Sequence, residues 1–472
     1  MAQIDHHYID GAFVPSHGRD TADLINPATE DVIGTVRLGD ADDARRAVAA
    51  AKRAQVDFAQ TSKEERLVLL QRLHEAVVAR EADMLTAVVD EYGAPAARAG
   101  WMVQHAIGAF RDVATALTDY PLTRSIGQAR AVMAPVGVSA LITPWNSNAG
   151  FICNKLASAI AAGCATVIKP SEMSAMQTQV VVEALHAAGL PPGLFNVVNG
   201  RGDVVGAEFV AHPDVAKVSF TGSTAVGKGI LRMAAETIKR VTLELGGKSP
   251  TLILDDAELA SAIDIAIEAG FQNSGQACIA GTRILLPRTR LDEAIPLLRQ
   301  AVARHPVGDP HDQATRIGPM VSRKQWERVQ GYIRLGVEEG ARIIVGGEGR
   351  PQHLSRGHFV QPTVFVDVRN DMRIAQEEIF GPVLSVITYD SEEEAIAIAN
   401  DTRYGLQAYV VSPDAARAQR VAARLEAGRV LINGLSHEPQ APFGGFKQSG
   451  IGREFGGFGL AAYLEPKTLL GA

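Results

Sequence analysis

The feature that most constrains the fold is an alternation of short β-branched runs with alanine-rich segments, which begins near residue 136. It predicts strands at 136–142, 166–168, 195–198, 215–220 and 241–245, and helices at 151–162, 174–188 and 226–238. A second series predicts strands at 251–254, 283–286, 342–345, 383–389, 408–411 and 429–432, and a helix at 259–271. Because such alternation is typical of parallel sheets covered by helices, it indicates two α/β domains that meet near Gly246-Gly247.

The chain before residue 136 has a different pattern. It predicts a helix at 40–60, a second helix that starts at the capping box of Ser62 and Glu65, and helix over 81–120 with breaks near Pro95 and Pro121. Residues 122–135 predict an exposed hairpin between these helices and the first sheet. This hairpin is either an arm that pairs with another subunit or a plain loop.

Composition excludes several classes of protein. The net charge is −7 over 472 residues, and nucleic-acid or anionic-membrane binding requires a concentrated basic field that this chain lacks. Met1–Phe13 has no apolar segment of the kind found in secretory signals, and no run of 18 uncharged apolar residues predicts a membrane span. The three cysteines form no CxxC pair, which is typical of a reducing compartment, so we expect a cytoplasmic protein.

Two side chains have the chemistry of a catalytic pair. Cys278 follows small and polar residues, Asn273-Ser274-Gly275-Gln276-Ala277, and a thiolate there is a candidate nucleophile. Glu244 ends an apolar strand before Gly246-Gly247, where a buried carboxylate with a raised pKa can act as a general base. Considered singly, Cys278 is more often an inert thiol, and Glu244 is more often a cap or an ion-pair partner.

Three strand ends carry candidate ligand-binding residues. Val218–Gly227 runs from a strand through Thr221-Gly222-Ser223 into a helix, whose first N–H groups could hold a pyrophosphate. Asn146 follows the strand that ends in Ile142, and its amide could stabilise an oxyanion or only satisfy a turn. Lys169 and Glu172 follow the next strand, where they could bind ribose hydroxyls or form a surface pair.

Taken together, these segments resemble the aldehyde dehydrogenase superfamily in order and spacing, from Asn26-Pro27 to Lys467-Thr468. The motifs that carry the resemblance are Pro144-Trp145-Asn146, Lys169-Pro170-Ser171-Glu172, Phe220-Thr221-Gly222-Ser223, Glu244-Leu245-Gly246-Gly247-Lys248, Gly275-Gln276-Ala277-Cys278, Glu378-Ile379-Phe380-Gly381-Pro382 and Pro442–Gly450. The resemblance implies an α/β fold with two Rossmann-like parallel-sheet domains and a β oligomerisation arm. It assigns 1–121 and 139–246 to NAD binding, 247–448 to catalysis, and 122–138 and 449–472 to the arm.

The resemblance also implies a covalent mechanism. Cys278 attacks the aldehyde, Asn146 and the Cys278 N–H hold the oxyanion, and Glu244 activates the water that releases a free acid. Lys155 and Glu454 match positions that relay protons from Glu244. The alternative is a catalytically silent member that acts as a binding or structural protein, although none of these residues is missing.

The implied cofactor is NAD, with NADP as a second option, and no metal is implied. A carboxylate at Glu172 accommodates a ribose 2′-OH and repels a 2′-phosphate, so NAD⁺ is favoured. The residues that the resemblance assigns to cofactor binding are Ile142, Thr143, Pro144, Trp145, Lys169, Ser171, Glu172, Gly202, Phe220, Thr221, Gly222, Ser223, Val226, Leu245, Gly246, Glu378 and Phe380.

The chain departs from the common family pattern where the substrate tunnel is expected. Ser147-Asn148 replaces a frequent Phe-Pro, Asn154 replaces a frequent Trp, and the loop with His437 is more polar and shorter by about one residue. The expected substrate-contacting residues are Ser147, Phe151, Asn154, Ile279, His437 and Phe443. These differences predict a wider, more polar tunnel for a polar, aromatic or acidic aldehyde. The family also implies a homodimer or homotetramer.

Overall fold

The structure, a computed structural model, describes residues 1–471. Its helices are α1 (Ala41–Phe58), α2 (Lys63–Val78), α3 (Glu81–Ala87), α4 (Ala96–Asp119), α5 (Asn148–Ala162), α6 (Ala175–Ala187), α7 (Ala207–Ala211), α8 (Thr224–Ala235), α9 (Leu259–Phe271), α10 (Leu291–Ala303), α11 (Arg323–Glu338), α12 (Arg373–Gln376), α13 (Glu392–Asn400), α14 (Ala415–Ala422) and α15 (Gly456–Ala461).

The strands form two large sheets and two small ones. They are β1 (Ala2–Ile4), β2 (His6–Ile9), β3 (Ala12–Pro15), β4 (Thr21–Ile25), β5 (Val32–Arg37), β6 (Thr123–Ile126), β7 (Ala129–Pro135), β8 (Ser139–Ile142), β9 (Thr166–Lys169), β10 (Phe195–Val197), β11 (Lys217–Thr221), β12 (Arg240–Glu244), β13 (Pro250–Ile253), β14 (Arg283–Pro287), β15 (Arg342–Val345), β16 (Thr363–Val366), β17 (Val383–Tyr389), β18 (Gln407–Val411), β19 (Arg429–Ile432), β20 (Gly450–Ile451) and β21 (Leu464–Leu470).

The first large sheet has the order β20-β12-β11-β8-β9-β10-β2-β3. Its five central strands, β12 to β10, are parallel and follow the chain order 5-4-1-2-3 of a Rossmann sheet. The strand order reverses between β8 and β11, and ligands of such sheets bind beyond the carboxyl ends of the strands at this switch point. The topology therefore places residues 143–146 and 222–224 at the edge of a ligand crevice.

The second large sheet has the order β15-β16-β17-β14-β13-β18-β19, and all its neighbours except β15 and β16 are parallel. Residues of both its faces are buried, Leu252 and Leu285 in one apolar cluster and Ile253 and Ile284 in another. Strands that are buried on both faces consist of continuous runs of apolar residues, and these runs are what predicted the strands from the sequence. The α/β fold with two Rossmann-like sheets is confirmed.

The capping box predicted at the start of α2 is present. Ser62 Oγ accepts a hydrogen bond from Glu65 N at 3.2 Å, and the Glu65 carboxylate accepts one from Ser62 N at 2.7 Å. These two bonds satisfy N–H groups that a helix start otherwise leaves unpaired. The next helical segment ends in a π-helical turn, Val88–Tyr92, before Pro95, as the proline predicted.

The predicted hairpin is also present, because β6 and β7 pair antiparallel and β21 pairs along the other side of β7. The strand predicted at 136–142 is wrong at its start, since β7 ends at Pro135 and Gly137, with φ 117°, separates it from β8. The helix predicted at 226–238 is wrong at both ends: α8 spans Thr224–Ala235, and Ile238 has φ 54°.

The residues after 448 divide between two parts of the fold. β20 pairs with β12 in the first large sheet, and α15 packs against α4 and α5. Only β21 joins the three-stranded arm sheet with β6 and β7. Residues 449–463 thus lie with the first sheet, whereas the resemblance assigned them to the arm. The motif Pro442–Gly450 does not indicate which sheet the two-residue strand β20 joins.

Candidate active site

A cavity of about 620 Å³ lies at the switch point of the first sheet. Fourteen of its lining residues were predicted as catalytic, cofactor or substrate residues: Pro144, Trp145, Asn146, Phe151, Glu172, Thr221, Gly222, Ser223, Glu244, Leu245, Gly246, Cys278, Glu378 and Phe380. The two candidate catalytic side chains therefore open onto the same space as the turns that follow β8 and β11. The cavity connects a nucleophile and a carboxylate with a site of the kind that holds a dinucleotide.

The part of the cavity wall formed by the turns after β11 and β12, which we call the glycine cradle, requires glycine at two positions, Gly222 and Gly246. A Cβ on Gly222 would lie 2.5 Å from the Phe220 ring, and a Cβ on Gly246 would lie 2.5 Å from the Glu378 carboxylate. Thr221 adds a buried hydroxyl that has no hydrogen-bond partner among residues 1–471. The crevice is thus lined by the main chain of two glycines and by the Thr221 hydroxyl. These residues fit a dinucleotide, which must approach the main chain closely.

The start of α8 forms one wall of the cradle. Ser223 is the N-cap, and its Oγ accepts a hydrogen bond from Val226 N at 3.3 Å. The first N–H groups of a helix carry partial positive charge and bind phosphate groups well. This geometry is the one predicted from the Thr221-Gly222-Ser223 turn.

Lys169 and Glu172 lie at another edge of the crevice. Lys169 is buried, and its Nζ lies 3.5 Å from Glu172 Oε2, whereas the Glu172 side chain is 37% exposed. Burial lowers the pKa of Lys169, and the charge of Glu172 opposes that shift. A cation and a carboxylate in this position can bind the hydroxyls of a ribose.

Glu378 and Phe380 are held by a helix that the sequence did not single out. Gln325 Nε2 donates to Phe380 O at 2.8 Å, and Arg328 Nη2 donates to Glu378 O at 2.5 Å. The Glu378 carboxylate accepts a hydrogen bond from Gly247 N at 3.0 Å, and burial raises its pKa to about 7. The main chain at Phe380 has φ 64°, which points to a position fixed by these contacts.

The loop that carries Cys278 has an unusual backbone. Asn273, Ser274 and Gly275 have φ values of 54°, 57° and 73°, three consecutive residues in the left-handed region. A Cβ on Gly275 would lie 2.3 Å from the Gly381 carbonyl carbon, and a Cβ on Gly247 would lie 2.2 Å from Cys278 O. The glycines thus allow the segments around Glu378, Gly247 and Cys278 to touch through their main chains.

Gln276 and Asn146 fix this loop from within. The Gln276 side chain donates to Pro319 O at 3.2 Å and accepts from Val321 N at 2.9 Å. Its main-chain carbonyl accepts Asn146 Nδ2 at 2.9 Å and Asn273 Nδ2 at 3.2 Å. The Asn146 amide therefore lies against the nucleophile loop, where a donor for an oxyanion is needed.

Cys278 is the accessible cysteine of the three. The residue Cys278 is half-buried, whereas Cys153 and Cys164 are fully buried. Burial and the nearby carboxyl groups of Glu378 and Glu244 raise the pKa of Cys278 to about 12, against the opposing charge of Arg429. The sulfur must therefore lose a proton before it can attack as a thiolate.

Glu244 is a carboxyl group without partners. It is 2% exposed, and neither of its side-chain oxygens has a hydrogen-bond partner among residues 1–471. Burial, followed by the charge of Glu454, raises its pKa well above the ordinary value. A carboxylate with a raised pKa is a stronger base than an ordinary one, which suits Glu244 to accept a proton as a general base.

Lys155 and Glu454 form an ion pair behind Glu244. The Lys155 Nζ donates to the Glu454 carboxylate and, at 3.0 Å, to Ser219 Oγ. Lys155 is 2% exposed, and its charge opposes the rise in the pKa of Glu244. These two groups therefore lie within electrostatic range of Glu244, and their role as a proton relay stays a prediction.

The remaining predicted cofactor residues do not line the cavity. Ile142, Thr143, Phe220, Lys169 and Ser171 are buried beneath or beside it, and Ser171 Oγ accepts a hydrogen bond from Met173 N at 3.3 Å. Gly202 and Val226 are exposed. Their roles in cofactor binding stay predictions.

The sequence did not single out six residues that line the cavity: Met173, Val321, Ser322, Lys324, Gln325 and Arg328. Four of them belong to the start of α11, where Ser322 is the N-cap. A helix start with Ser at the N-cap is a common local pattern, so it gave no indication that this helix closes the crevice.

Three of the predicted substrate residues, Asn154, His437 and Phe443, lie in one cluster of histidine and aromatic side chains, and Phe151 lines the cavity with Cys278. Asn154 Nδ2 lies 3.0 Å from His105 Nε2, His105 packs edge-on against His437 at 5.5 Å, and Phe443 packs against Phe455 at 5.6 Å. Ser147 is the N-cap of α5 and lies close to Gly150, and Ile279 follows Cys278 directly. Trp101 and His105 were not predicted, because a helix face with these residues resembles an ordinary packing face. Phe455 was not predicted either, because it lies in the turn just before α15.

Comparison with known proteins identifies the family. The family model described as "Aldehyde dehydrogenase family" matches residues 13–469. The chain belongs to the aldehyde dehydrogenase family. It is accordingly an oxidoreductase that acts on aldehydes. Among residues 1–471, no helix is both long and apolar enough to cross a membrane.

Three relatives illustrate the similarity. A 3-succinoylsemialdehyde-pyridine dehydrogenase from Pseudomonas sp is 46% identical over 473 aligned positions, which span 100% of this chain and 99% of that protein. Aldehyde dehydrogenase C from Pseudomonas syringae, solved with NAD⁺ and octanal, has a TM-score of 0.98 and 44% identity over 99% of this chain and 96% of that one. Betaine aldehyde dehydrogenase from Staphylococcus aureus, solved with NAD⁺, has a TM-score of 0.95 and 37% identity over 98% and 94%.

Proposed function

We propose that this protein oxidises an aldehyde to the carboxylic acid with NAD⁺, through a thiohemiacetal and a thioester on Cys278. The observation that carries the proposal is that Cys278, Glu244 and Asn146 line the same cavity as the glycine cradle at the Rossmann switch point. The solved relatives with NAD⁺ support the choice of cofactor.

In the first step, the Cys278 thiol gives up its proton to solvent as the sulfur attacks the carbonyl carbon, a C–S bond forms, and the carbonyl π electrons move to oxygen. The Asn146 amide and the Cys278 main-chain N–H stabilise that oxyanion, and donors of this kind contribute about 3 kcal/mol each in comparable sites. NAD⁺, when bound, supplies the acceptor for the hydride that leaves the thiohemiacetal carbon. Trp145, Glu378 and Phe380 would hold and orient the nicotinamide end, and the α8 start would hold the pyrophosphate.

In the second step, Glu244 removes a proton from water as the water attacks the thioester carbonyl. The C–S bond then breaks, the acid departs, and the Cys278 sulfur leaves as a thiolate. Lys155 and Glu454 move the proton from Glu244 onward. The free oxygens of Glu244 support this role, because no donor of the described chain competes with the water for them.

The adenosine end of the site favours NAD⁺ over NADP⁺. Glu172 lines the crevice beside Lys169, and a carboxylate there accepts hydrogen bonds from a ribose but repels a 2′-phosphate. Lys169 reduces this repulsion without removing it, so NADP⁺ would be a poorer cofactor. We therefore expect the protein to use both cofactors, with a higher kcat/KM for NAD⁺ than for NADP⁺.

The substrate is a polar or aromatic aldehyde that enters between α4, α5 and the 435–443 loop. The histidine and aromatic side chains of this cluster provide flat surfaces for a ring and polar atoms for hydrogen bonds. The Pseudomonas sp relative is named for a substrate with a pyridine ring, whereas the Pseudomonas syringae enzyme was solved with octanal. The polar side chains here favour the first type.

The arm makes the active molecule a homodimer or homotetramer. β6 is exposed over its whole length and has a free edge, and exposed strand edges are sites for pairing with another chain. Ile126 at its end is 62% exposed. A second copy of the chain would cover this apolar side chain.

The test of this function is NADH formation by the purified protein with aliphatic, aromatic and acidic aldehydes, with NAD⁺ and NADP⁺, beside Cys278→Ala. Turnover that is abolished in Cys278→Ala supports the proposal. Binding of NAD⁺ without turnover of any aldehyde would favour a silent binding protein instead.

A further inference from the structure

An arc of side chains beside the nucleophile ends in a guanidinium group on each side. On α4, Arg98, Trp101 and His105 share one helix face, with the Arg98 Cζ 4.1 Å from the centroid of the Trp101 ring. The Trp101 ring stacks on His105 at 5.2 Å, and His105 packs edge-on against His437 at 5.5 Å. The arc then reaches Arg429, whose Nη1 lies 3.2 Å from His437 Nδ1.

Arg429 is connected to the residue after the nucleophile. Its Nε donates to Gln407 Oε1 at 2.6 Å, the Gln407 amide donates to the Tyr409 hydroxyl, and that hydroxyl donates to Ile279 O at 2.9 Å. Ile279 directly follows Cys278. The guanidinium of Arg429 is thus connected through two side chains to the nucleophile loop, and its charge acts on Cys278.

The arc has a surplus of hydrogen-bond donors. The Arg98 Nε is buried and has no partner among residues 1–471. Because Arg429 can only donate, His437 Nδ1 must accept from it, and His437 Nε2 then carries the proton. That Nε2 is also buried without a partner in the described chain. Two unpaired donors in one arc indicate an acceptor that comes from a ligand.

No carboxylate of residues 1–471 lies within salt-bridge distance of Arg98 or Arg429. Glu268 on α9, whose charge acts on Arg98, forms its ion pair with His305 at 3.1 Å. Glu438, the acidic group of the 435–443 loop, is exposed and accepts from Gln440 N at 2.9 Å. Both arginines are half-buried and lie over aromatic rings, Arg98 over Trp101 and Arg429 over Phe443, and neither has an anionic partner in the described chain. A guanidinium partly removed from water is stabilised by a counter-charge, which a bound anion would supply.

We infer that this arc binds the carboxylate of a substrate that carries an aldehyde at one end and a carboxylate at the other. Arg429 is the main partner of the anion, and His437 Nε2 and Arg98 supply the further donors. The aldehyde end then faces Cys278. This inference rests on the proposed function, since it assigns the substrate class of the same site.

Matched aldehydes test the inference. We would measure kcat/KM for succinic semialdehyde against butanal, and for para-carboxybenzaldehyde against para-carbamoylbenzaldehyde, which replaces the anion with a neutral acceptor. Each carboxylate should be preferred by about tenfold to a hundredfold, as expected for hydrogen bonds to a charged group. Equal kcat/KM within either pair would overturn the inference and leave the aldehyde dehydrogenase function intact.

Variants assign the effect to the arc. In Arg429→Gln the preference for the carboxylate should fall by at least about tenfold, mainly through KM, and Arg429→Lys should restore part of it. Arg111→Gln, on an exposed arginine of the same helix, should keep the wild-type preference. A preference that survives in both Arg429→Gln and Arg98→Gln would overturn the assignment.

A binding measurement separates this inference from the proposed function. Calorimetry with Cys278→Ala, whose oxidation step is removed, should show tighter binding of succinic semialdehyde than of butanal, and Arg429→Gln in that background should remove the difference. Absence of turnover with every aldehyde would contradict the proposed function alone. Equal binding of the two aldehydes would contradict the carboxylate site.

Discussion

The side-chain amide of Asn146 donates a hydrogen bond from Nδ2 to the main-chain carbonyl of Gln276 at 2.9 Å, two residues before Cys278. A second hydrogen bond runs in the opposite direction, from the Asn273 side-chain amide to Asn146 O at 3.1 Å. The turn after β8 and the nucleophile loop after α9 are therefore fixed to each other, although about 130 residues separate them in the chain. This contact sets the position of the oxyanion donor relative to the sulfur.

Asn146→Ala should lower kcat by about 10²–10³-fold, because one oxyanion donor is lost. The fold should tolerate the change, since the Gln276 carbonyl still accepts Asn273 Nδ2 at 3.2 Å. Steady-state kinetics and thermal unfolding of the same preparation check both statements. A kcat within threefold of the wild type would argue against Asn146 as an oxyanion donor.

Only Cys278 should react with iodoacetamide in the folded protein, because Cys153 and Cys164 are fully buried. Since the pKa of Cys278 is raised to about 12, the labelling rate should climb by about tenfold for each pH unit between neutral pH and pH 10. Mass spectrometry of the digested protein measures both the site and the rate. Labelling of Cys278→Ala under the same conditions would contradict the assigned accessibility.

Glu172→Gln should raise kcat/KM for NADP⁺ relative to NAD⁺ by at least about tenfold, because it removes the charge that repels a 2′-phosphate. Lys169, now without its carboxylate neighbour at 3.5 Å, becomes free to pair with that phosphate. Glu208→Gln, which removes an equal charge outside the crevice, serves as the control. An unchanged cofactor ratio in Glu172→Gln would place the adenosine ribose elsewhere.

Ile126→Asp should dissociate the oligomer, because it places a charge at the exposed edge strand of the arm. Val56→Asp is the matched control, since Val56 is 67% exposed on α1, away from the arm. Sedimentation velocity of the three proteins distinguishes the outcomes. An unchanged sedimentation coefficient in Ile126→Asp would show that the subunits do not associate through this edge.

Much of the fold could be predicted because the parallel strands are buried on both sides. Val167, Val218 and Ile284 belong to runs of apolar residues, and such runs between helical segments leave few alternatives. The five strands before residue 40 and β16 were not predicted. They are short, and strands such as β4 and β5 have only one or two buried positions among exposed and half-buried ones.

The site was predictable where a residue type has few other uses. Cys278, Glu244 and Gly246 belong to family motifs, and all three line one cavity. Arg98 and Arg429 gave no such indication, because an arginine on a helix or at the start of a strand is usually a surface residue. Only the folded structure shows that no carboxylate of the described chain lies within salt-bridge distance of either arginine.

The most direct test of the account is the behaviour of Glu244→Gln, which keeps the shape of the side chain and removes the base. Burial and the charge of Glu454 raise the pKa of Glu244, so the wild-type steady-state rate should rise with pH as this carboxyl group ionises. In Glu244→Gln that rise should be absent, and the steady-state rate should be lower by about 10²–10⁴-fold.

The decisive measurement is intact-protein mass spectrometry of Glu244→Gln after incubation with an accepted aldehyde and NAD⁺. We expect one acyl group per chain, formed with a burst of NADH and absent when Cys278→Ala is added to the same protein. If Glu244→Gln turns over at the wild-type rate, or forms NADH without an acyl adduct on Cys278, the proposed roles of Glu244 and Cys278 are wrong.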